Sequence, residues 1–321
     1  MHILITGAAG FLGQRLAKHL LQNPALKTLT LADIAPPPIP KGDNHQDKKI
    51  YGLQADLTDP KAVQALVSSD ITAVYHLAAV VSGQAEANFD LGMAVNCDGT
   101  RNLLEAVRHQ APGAIFIFAS SLAVFGGDLP DIVTPKTAIT PLSSYGTQKA
   151  IAELQVNDYT RKGFIDGRTL RLPTVCVRPG KPNAATSSFV SSIVREPLKG
   201  ETAVCPVNPS LPLWLSSPGT VTHNLAHALA LSASKLSNNR TLNLPGITVT
   251  VQDILDALAA VAGPEALSHI QYQSDEVISR IVSSWPSQFD VSKAIALGFA
   301  RDRTFKDIIQ SFITEEKINK P

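Results

Sequence analysis

Only three cysteines, Cys97, Cys176 and Cys205, occur in 321 residues. They lie far apart among apolar neighbours, so they offer neither a disulfide framework nor the ligand spacing of a zinc site, and they read as thiols of a reducing compartment. An excess of charge of either sign is also missing. The 28 Lys plus Arg stand against 27 Asp plus Glu, a net +1, which argues against nucleic-acid or acidic-membrane partners, whose binding rests on neutralising many phosphates. No apolar run approaches the ~18 residues of a membrane span; the longest, Ile71 to Val81, carries His76 inside it. No basic stretch precedes the apolar residues before Gly7, as a secretory signal would require. The expectation is a soluble cytoplasmic protein with neither a membrane nor a nucleic-acid partner.

Apolar residues make up 44% of the chain, enough for a sizeable core, and the length corresponds to one large or two modest domains at ~150 residues each. Short apolar runs alternate with amphipathic segments of helical length. The strand patterns are His2 to Thr6, Thr28 to Ala32, Ile50 to Gln54, Ala73 to Leu77, Ala114 to Ala119 and Arg168 to Leu172. Helix patterns fall at Phe11 to Leu21, Pro60 to Ser68, Phe89 to His109 and Ser144 to Arg161. Such alternation predicts an α/β fold, a doubly wound parallel sheet with helices on both faces, because parallel strands need crossovers. Four prolines, Pro36, Pro37, Pro38 and Pro40, and the polar residues up to Lys49 mark an exposed loop. After Thr174 prolines multiply and helices follow at Val221 to Ala233, Val251 to Val261 and Phe305 to Ile313. This divides the chain into a Rossmann-like domain over residues 1–173 and a mainly C-terminal substrate lobe over 174–321, with the cleft between them as the default ligand site.

The first strand runs into Gly7-Ala-Ala-Gly10-Phe11-Leu12-Gly13. Glycine suits this turn because the backbone must bend tightly and approach a pyrophosphate, while the helix that follows offers unpaired N–H groups and the positive end of its dipole. Asp33 lies 20 residues beyond Gly13, at the end of the second strand, where a carboxylate accepts both ribose hydroxyls. It would repel a 2′-phosphate, and no Lys or Arg follows before Lys41, so NAD is expected over NADP. Asp56 and Leu57 close the third strand near the expected adenine, and Leu77, Ala78 and Ala79 close the fourth with small side chains. His76 reads as a hydrogen-bonded core histidine, and Asn96 as a buried amide able to bridge backbone and active site.

Tyr145 and Lys149 stand four apart on a predicted helix and so share a face, ~6 Å along the axis. Ser121 ends the fifth strand, on the same sheet edge as the glycine turn. A phenol of ordinary pKa ~10 is a poor base near neutrality, and holding it ionised there takes ~4 kcal/mol of preferential stabilisation. A lysine ammonium and a cationic nicotinamide ring are able to supply that. Tyr145 would then take a substrate hydroxyl proton, with Ser121 orienting the oxygen and Lys149 also holding the cofactor ribose.

These residues resemble the extended short-chain dehydrogenase/reductases, the nucleotide-sugar epimerase/dehydratase-like superfamily. Gly7, Gly10, Gly13, Asp33, Asp56, Leu77 to Ala79, Asn96, Ser121, Tyr145 and Lys149 match its motifs, and Phe289 to Phe299 looks like its closing segment. The resemblance implies a homodimer packed through the long helices at Phe89 to His109 and Tyr145 to Arg161. Departures from the pattern bear on substrate. Ser121 is followed by Leu122 and Ala123, where dehydratases carry an acid to expel water. The segment from Arg171 reads Arg-Leu-Pro-Thr174-Val-Cys-Val-Arg178-Pro-Gly-Lys-Pro-Asn183, so Thr174 replaces the diphosphate-contacting Asn of the epimerases and Arg178 replaces a proline.

An arginine in that position suggests a carboxylate headgroup, which a guanidinium clamps with two parallel bonds. Arg195 is a second candidate, and each could equally form a structural ion pair. The whole run looks like a group within the family that acts on short sugar acids. This implies NAD-dependent oxidation of a C2 hydroxyl to the 2-oxo acid, with Thr174, Arg178, Asn183 and Arg195 as candidate substrate residues. A sugar-nucleotide 4-epimerase and a non-catalytic dinucleotide sensor are the alternatives. His223 and His227 share a helix face at metal-ligand spacing, but no glutamate or third ligand accompanies them, so no metal is expected.

Overall fold

The structure is a computed structural model, and it describes residues 1–41, 47–236 and 238–318. Residues 42–46 of the expected proline-rich loop lie outside the described residues. In chain order the elements begin with β1 (His2–Thr6), α1 (Phe11–Leu20), β2 (Thr28–Asp33), β3 (Lys49–Gln54), α2 (Pro60–Leu66) and β4 (Ala73–His76). Next come α3 (Ser82–Ala87), α4 (Phe89–Gly92), a π-helical turn (Met93–Asp98), α5 (Gly99–Gln110), β5 (Ile115–Ser121), α6 (Ser144–Arg161) and β6 (Asp166–Leu172). The chain continues through β7 (Thr174–Val175), α7 (Ser188–Arg195), β8 (Ala203–Cys205), β9 (Pro212–Ser216), α8 (Pro218–Ala230) and β10 (Thr241–Asn243). It ends with β11 (Ile247–Thr250), α9 (Val251–Ala262), β12 (Ile270–Tyr272), α10 (Glu276–Ser283), α11 (Ser292–Ala296) and α12 (Phe305–Glu316).

Two compact units emerge, and neither is contiguous in sequence. The first comprises Met1–Ser121, Ser144–Arg171 and Thr222–Leu242; the second comprises Leu122–Ser143, Leu172–Val221 and Asn243–Pro321. A single cut after residue 173 therefore does not describe the molecule. Residues 222–242 join the first unit for two physical reasons. β10 completes the sheet beside β6, and the buried Arg168 guanidinium of β6 donates to the carbonyls of Ala228, Leu229 and Leu231 at the end of α8.

The first unit holds a seven-stranded sheet in the order β10-β6-β5-β4-β1-β2-β3. The β1–β2, β2–β3, β1–β4 and β4–β5 pairs are parallel. Strand order reverses between β1 and β4, and in such sheets the crevice outside the carboxyl ends at that reversal is where ligands bind. Buried strand residues Leu4, Val74 and Phe116 pack with Leu103, Leu104 and Val107 of α5 in one core cluster. α2 starts where its sequence says it should: Pro60 opens it and the Asp59 carboxylate accepts from the Lys61 N–H.

The helix expected over Phe89 to His109 differs from expectation. It is broken into α4, the π turn and α5. The wider turn carries Asn96 inward, where its Oδ1 accepts from the Val80 N–H at 2.8 Å and its Nδ2 donates to the Val80 carbonyl at 3.0 Å. π turns of this kind concentrate at functional sites.

The second unit has a three-stranded sheet, β11-β9-β7, and a two-stranded parallel one, β12-β8. Val190 and Ile193 of α7, Ile254 and Leu258 of α9 and Ile309 of α12 belong to one core cluster there. Among the described residues no helix is long and apolar enough to cross a membrane.

Candidate active site

The turn after β1 is shaped by backbone contact. Gly7 has φ 73°, and a Cβ there would lie 2.5 Å from the Ala78 nitrogen just beyond β4. A Cβ on Gly13 would lie 2.3 Å from the Gly7 carbonyl oxygen. Gly10 is different, since its Cβ would meet only the Gly7 oxygen, at 3.1 Å. Protein packing alone demands glycine at 7 and 13 but much less at 10. The start of α1 beside Gly10 has no acidic residue in its first turn and no side-chain cap, which leaves it suited to an anionic ligand.

Asp33 closes β2 beside this turn. Its Oδ2 accepts from the Ala9 N–H at 2.8 Å and its Oδ1 from the Ile34 N–H at 2.7 Å. The carboxylate thus braces the glycine turn, and each oxygen keeps a further lone pair for a ribose hydroxyl. Phe11 and Leu12 open α1 half-buried. Leu77, Ala78 and Ala79 are half-buried beyond β4. The Asp56 carboxylate accepts from the Thr58 N–H and hydroxyl, both at 2.8 Å, so it closes a local turn, while Leu57 is buried against the start of α5.

α6 carries Tyr145 and Lys149, the candidate proton-transfer residues, and Lys149 reaches the end of β5. Tyr145 and Ser121 are half-buried, whereas Lys149 is buried. The Lys149 ammonium donates to the Ala119 carbonyl at 2.9 Å, and it lies 4.7 Å from the Phe118 ring and 5.8 Å from the Tyr145 ring. Burial pulls its pKa down to about 8, against the opposing charge of Glu153 and a smaller effect of Cys97. A cation held beside a tyrosine ring in a poorly solvated place is suited to stabilising the phenolate.

Asn96 reaches the same helix: its Nδ2 also donates to Gln148 Oε1 at 2.8 Å. His76 is a core histidine, placed between the Thr6 and Thr100 hydroxyls at 2.7 and 2.8 Å. Burial, helped by the charge of Lys149, lowers its pKa to about 3, so it stays neutral.

The candidate substrate residues belong to the second unit. Thr174 is buried in β7, paired with Leu215. The Arg178 backbone N–H donates to Ser191 Oγ at 3.0 Å and its Nε to the Val175 carbonyl at 3.2 Å, with the side chain half-buried. Asn183 is exposed in a turn, with Oδ1 accepting from the Ala185 N–H, and it lines a cavity of about 530 Å³ together with Ser188, Ser192 and Glu196. Arg195 turns inward. At 2% exposure it donates to the Arg178 carbonyl at 2.7 Å, to Ser192 Oγ at 3.2 Å and to Glu196 Oε1 at 2.6 Å. This is the structural ion pair that the sequence left as the other option for Arg195.

Two features escaped the sequence reading. One is the Ser120–Glu153–Arg171 network beneath α6, whose only trace in the sequence is an acid one further helical turn past Lys149. The other is His19, whose ring stands 6.3 Å from that of His223, itself 6.4 Å from His227. Among the described residues no group of three His, Cys, Asp or Glu is placed to hold a metal ion.

The model of the NAD dependent epimerase/dehydratase family matches residues 3–229, which include both the glycine turn and the Tyr145–Lys149 helix. The chain belongs to this family. Among its relatives, a D-erythronate dehydrogenase of Haemophilus influenzae is 51% identical over 98% of the chain and 99% of that protein. A D-erythronate dehydrogenase of Cupriavidus necator is 46% identical over the whole of both chains. A crystal structure described as a nucleoside-diphosphate-sugar epimerase from Agrobacterium tumefaciens superposes with a TM-score of 0.93 at 40% identity, covering 100% of this chain and 96% of that one. NAD, the cofactor of the family, fits the residues present. The open side of Gly10 and the uncapped start of α1 suit a pyrophosphate, and Asp33 suits a ribose without a 2′-phosphate.

Proposed function

We propose that this family member is an NAD-dependent dehydrogenase of a short sugar acid, D-erythronate or a close analogue, converting its C2 hydroxyl to a ketone. The observation that carries the reading is identity of 51% and 46%, over essentially full length, to two D-erythronate dehydrogenases. The buried Lys149 ammonium beside the Tyr145 ring agrees with it. The phenolate oxygen of Tyr145 takes the C2 hydroxyl proton, Lys149 stabilises the phenolate, and the Ser121 hydroxyl orients the substrate oxygen. NAD, when bound, supplies the acceptor for the hydride that leaves C2, so one C–H and one O–H bond break as the carbonyl forms. Arg178 is the candidate clamp for the substrate carboxylate, with Thr174 and Asn183 nearby in sequence. Arg195, committed to internal partners, holds the Arg178 backbone.

The test is NADH formation at 340 nm across C3 to C6 sugar acids and free sugars. Tyr145→Phe should lower kcat by roughly 10²- to 10⁴-fold while NAD binding persists, and an unimpaired variant would end the proposal. The likeness to the nucleoside-diphosphate-sugar epimerase of Agrobacterium tumefaciens favours a second reading, a sugar-nucleotide 4-epimerase. Epimer formation from UDP-hexoses without net NADH would establish that instead. Exposed Phe89 of α4 and Leu154 of α6, 59% and 61% accessible, lie on helices suited to pairing two copies, which sedimentation velocity reads directly. Three buried free thiols fit a reducing cytoplasm.

A further inference from the structure

Glu153 follows Lys149 by four residues and Tyr145 by eight, so the three occupy one face of α6 on successive turns, each ~6 Å apart along the axis. Glu153 is 1% exposed. Its Oε1 accepts from Ser120 Oγ at 2.5 Å and from Arg171 Nε at 2.9 Å, and its Oε2 accepts from the same guanidinium at 2.6 Å. One carboxylate therefore ties the Tyr145 helix to two strands at once: to β5 through the neighbour of Ser121, and to β6 through Arg171. A buried ion pair is a weak source of stability, because desolvation offsets most of the attraction. Fold stability alone gives little reason for this one.

The surroundings of Lys149 supply another reason. It is faced by Tyr145 and Glu153 from its own helix, Cys97 from the π turn, His76 from β4, and the Phe118 ring and Ala119 carbonyl from β5. His76 is neutral, and burial pushes the Cys97 thiol up to about 11. Of these groups, only Glu153 brings a resting negative charge to the ammonium. We infer that Glu153 is a positioning residue for proton transfer, supplying the counter-charge of the Lys149 ammonium while its Ser120 and Arg171 bonds fix the Tyr145 helix against the Ser121 strand. The inference rests on the reading of Tyr145 and Lys149 as the proton-transfer pair.

The expected signature is in the pH profile. Without the Glu153 charge, Lys149 releases its proton at lower pH, and the stabilisation of the phenolate is lost there too. Glu153→Gln retains an oxygen that accepts from Ser120 and Arg171. The alkaline limb of its kcat/KM profile should move to lower pH by about half a unit or more. Glu153→Asp, which restores the charge, should bring the limb back towards wild type even where the rate stays reduced.

Should Glu153→Gln fail to fold, the doubly neutral Glu153→Gln/Arg171→Met variant removes the buried charges together, a change such sites tolerate, and should displace the limb in the same direction by a smaller amount, because loss of the Arg171 cation partly offsets loss of the carboxylate. A profile superimposable on wild type, with only the melting temperature lowered, overturns the inference. Tyr145→Phe, assayed alongside, keeps the two questions apart. If that variant turns over at the wild-type rate, the parent reading falls, whereas a dead Tyr145→Phe with an unmoved Glu153→Gln profile overturns the role of Glu153 alone.

Discussion

Lys149, the residue proposed to stabilise the Tyr145 phenolate, carries a charge that burial opposes. Its pKa in the folded protein, about 8, lies below the 10.5 of an unperturbed lysine, chiefly because burial penalises the charged form. Below pH 8 both the folded and unfolded chains hold the proton, and the penalty is fully present. Between pH 8 and 10.5 the folded protein releases the proton first, so the penalty fades, and above 10.5 it is gone. Lys149→Met removes this titration. The stability of wild type relative to that variant should therefore rise by roughly 3 kcal/mol between pH 8 and pH 10.5, as urea unfolding at the two pH values would measure. A difference that stays flat with pH would mean that the ammonium is not desolvated. The variant should also lose turnover, since it removes the ammonium that stands 5.8 Å from the Tyr145 ring. Tyr145, Lys149 and Asp33 were legible in the sequence because spacing alone places them on one helix face or at one strand end. Glu153 was not, because an acid on an amphipathic helix normally faces water, and only the partner strands reveal that this one does not.

At the scale of elements, the glycine turn separates what the fold needs from what the ligand needs. Gly13→Ala puts a methyl 2.3 Å from one backbone oxygen and 2.8 Å from the Ala8 Cα, which no rotamer change relieves. It should cost about 1–3 kcal/mol of stability, as overpacking does, and weaken NAD binding with it. Gly10→Ala adds a methyl facing only the Gly7 oxygen at 3.1 Å. It should leave the melting temperature within a few degrees while lowering NAD affinity about tenfold or more. Thermal melting and a fluorescence titration with NAD distinguish the two, and equal losses in both variants would contradict the assignment. Six of the seven strands of the large sheet were readable because they are short runs rich in apolar residues, and five of those six starts fall within one residue of expectation, β6 alone beginning two residues early. The π turn was hidden, since one extra residue in a turn scarcely changes the apolar period over Phe89 to His109. The short strands β7, β8 and β10, of two or three residues, are too brief to show a period at all.

For the whole molecule, chain order and spatial order disagree, and this sets what can be cut. The boundary expected after residue 173 leaves residues 222–242 behind, although they belong to the first unit. A fragment of residues 1–173 would lose the β10 partner of β6 and the three carbonyls that receive Arg168, which is 2% exposed. Asp166 would remain beside that guanidinium but would lose its own ion pair with Arg240. Hydrogen bonds to a buried charge are worth about 1.5–3 kcal/mol each, so three of them approach the 5–15 kcal/mol that a whole domain commands. The fragment should therefore show no cooperative thermal transition and no NAD binding, despite containing every residue proposed to hold the cofactor or transfer the proton. Calorimetry of the purified fragment beside the full chain decides the matter. A sharp transition with retained NAD affinity would mean that the sheet closes without β10, and that the division at 173 was sound after all.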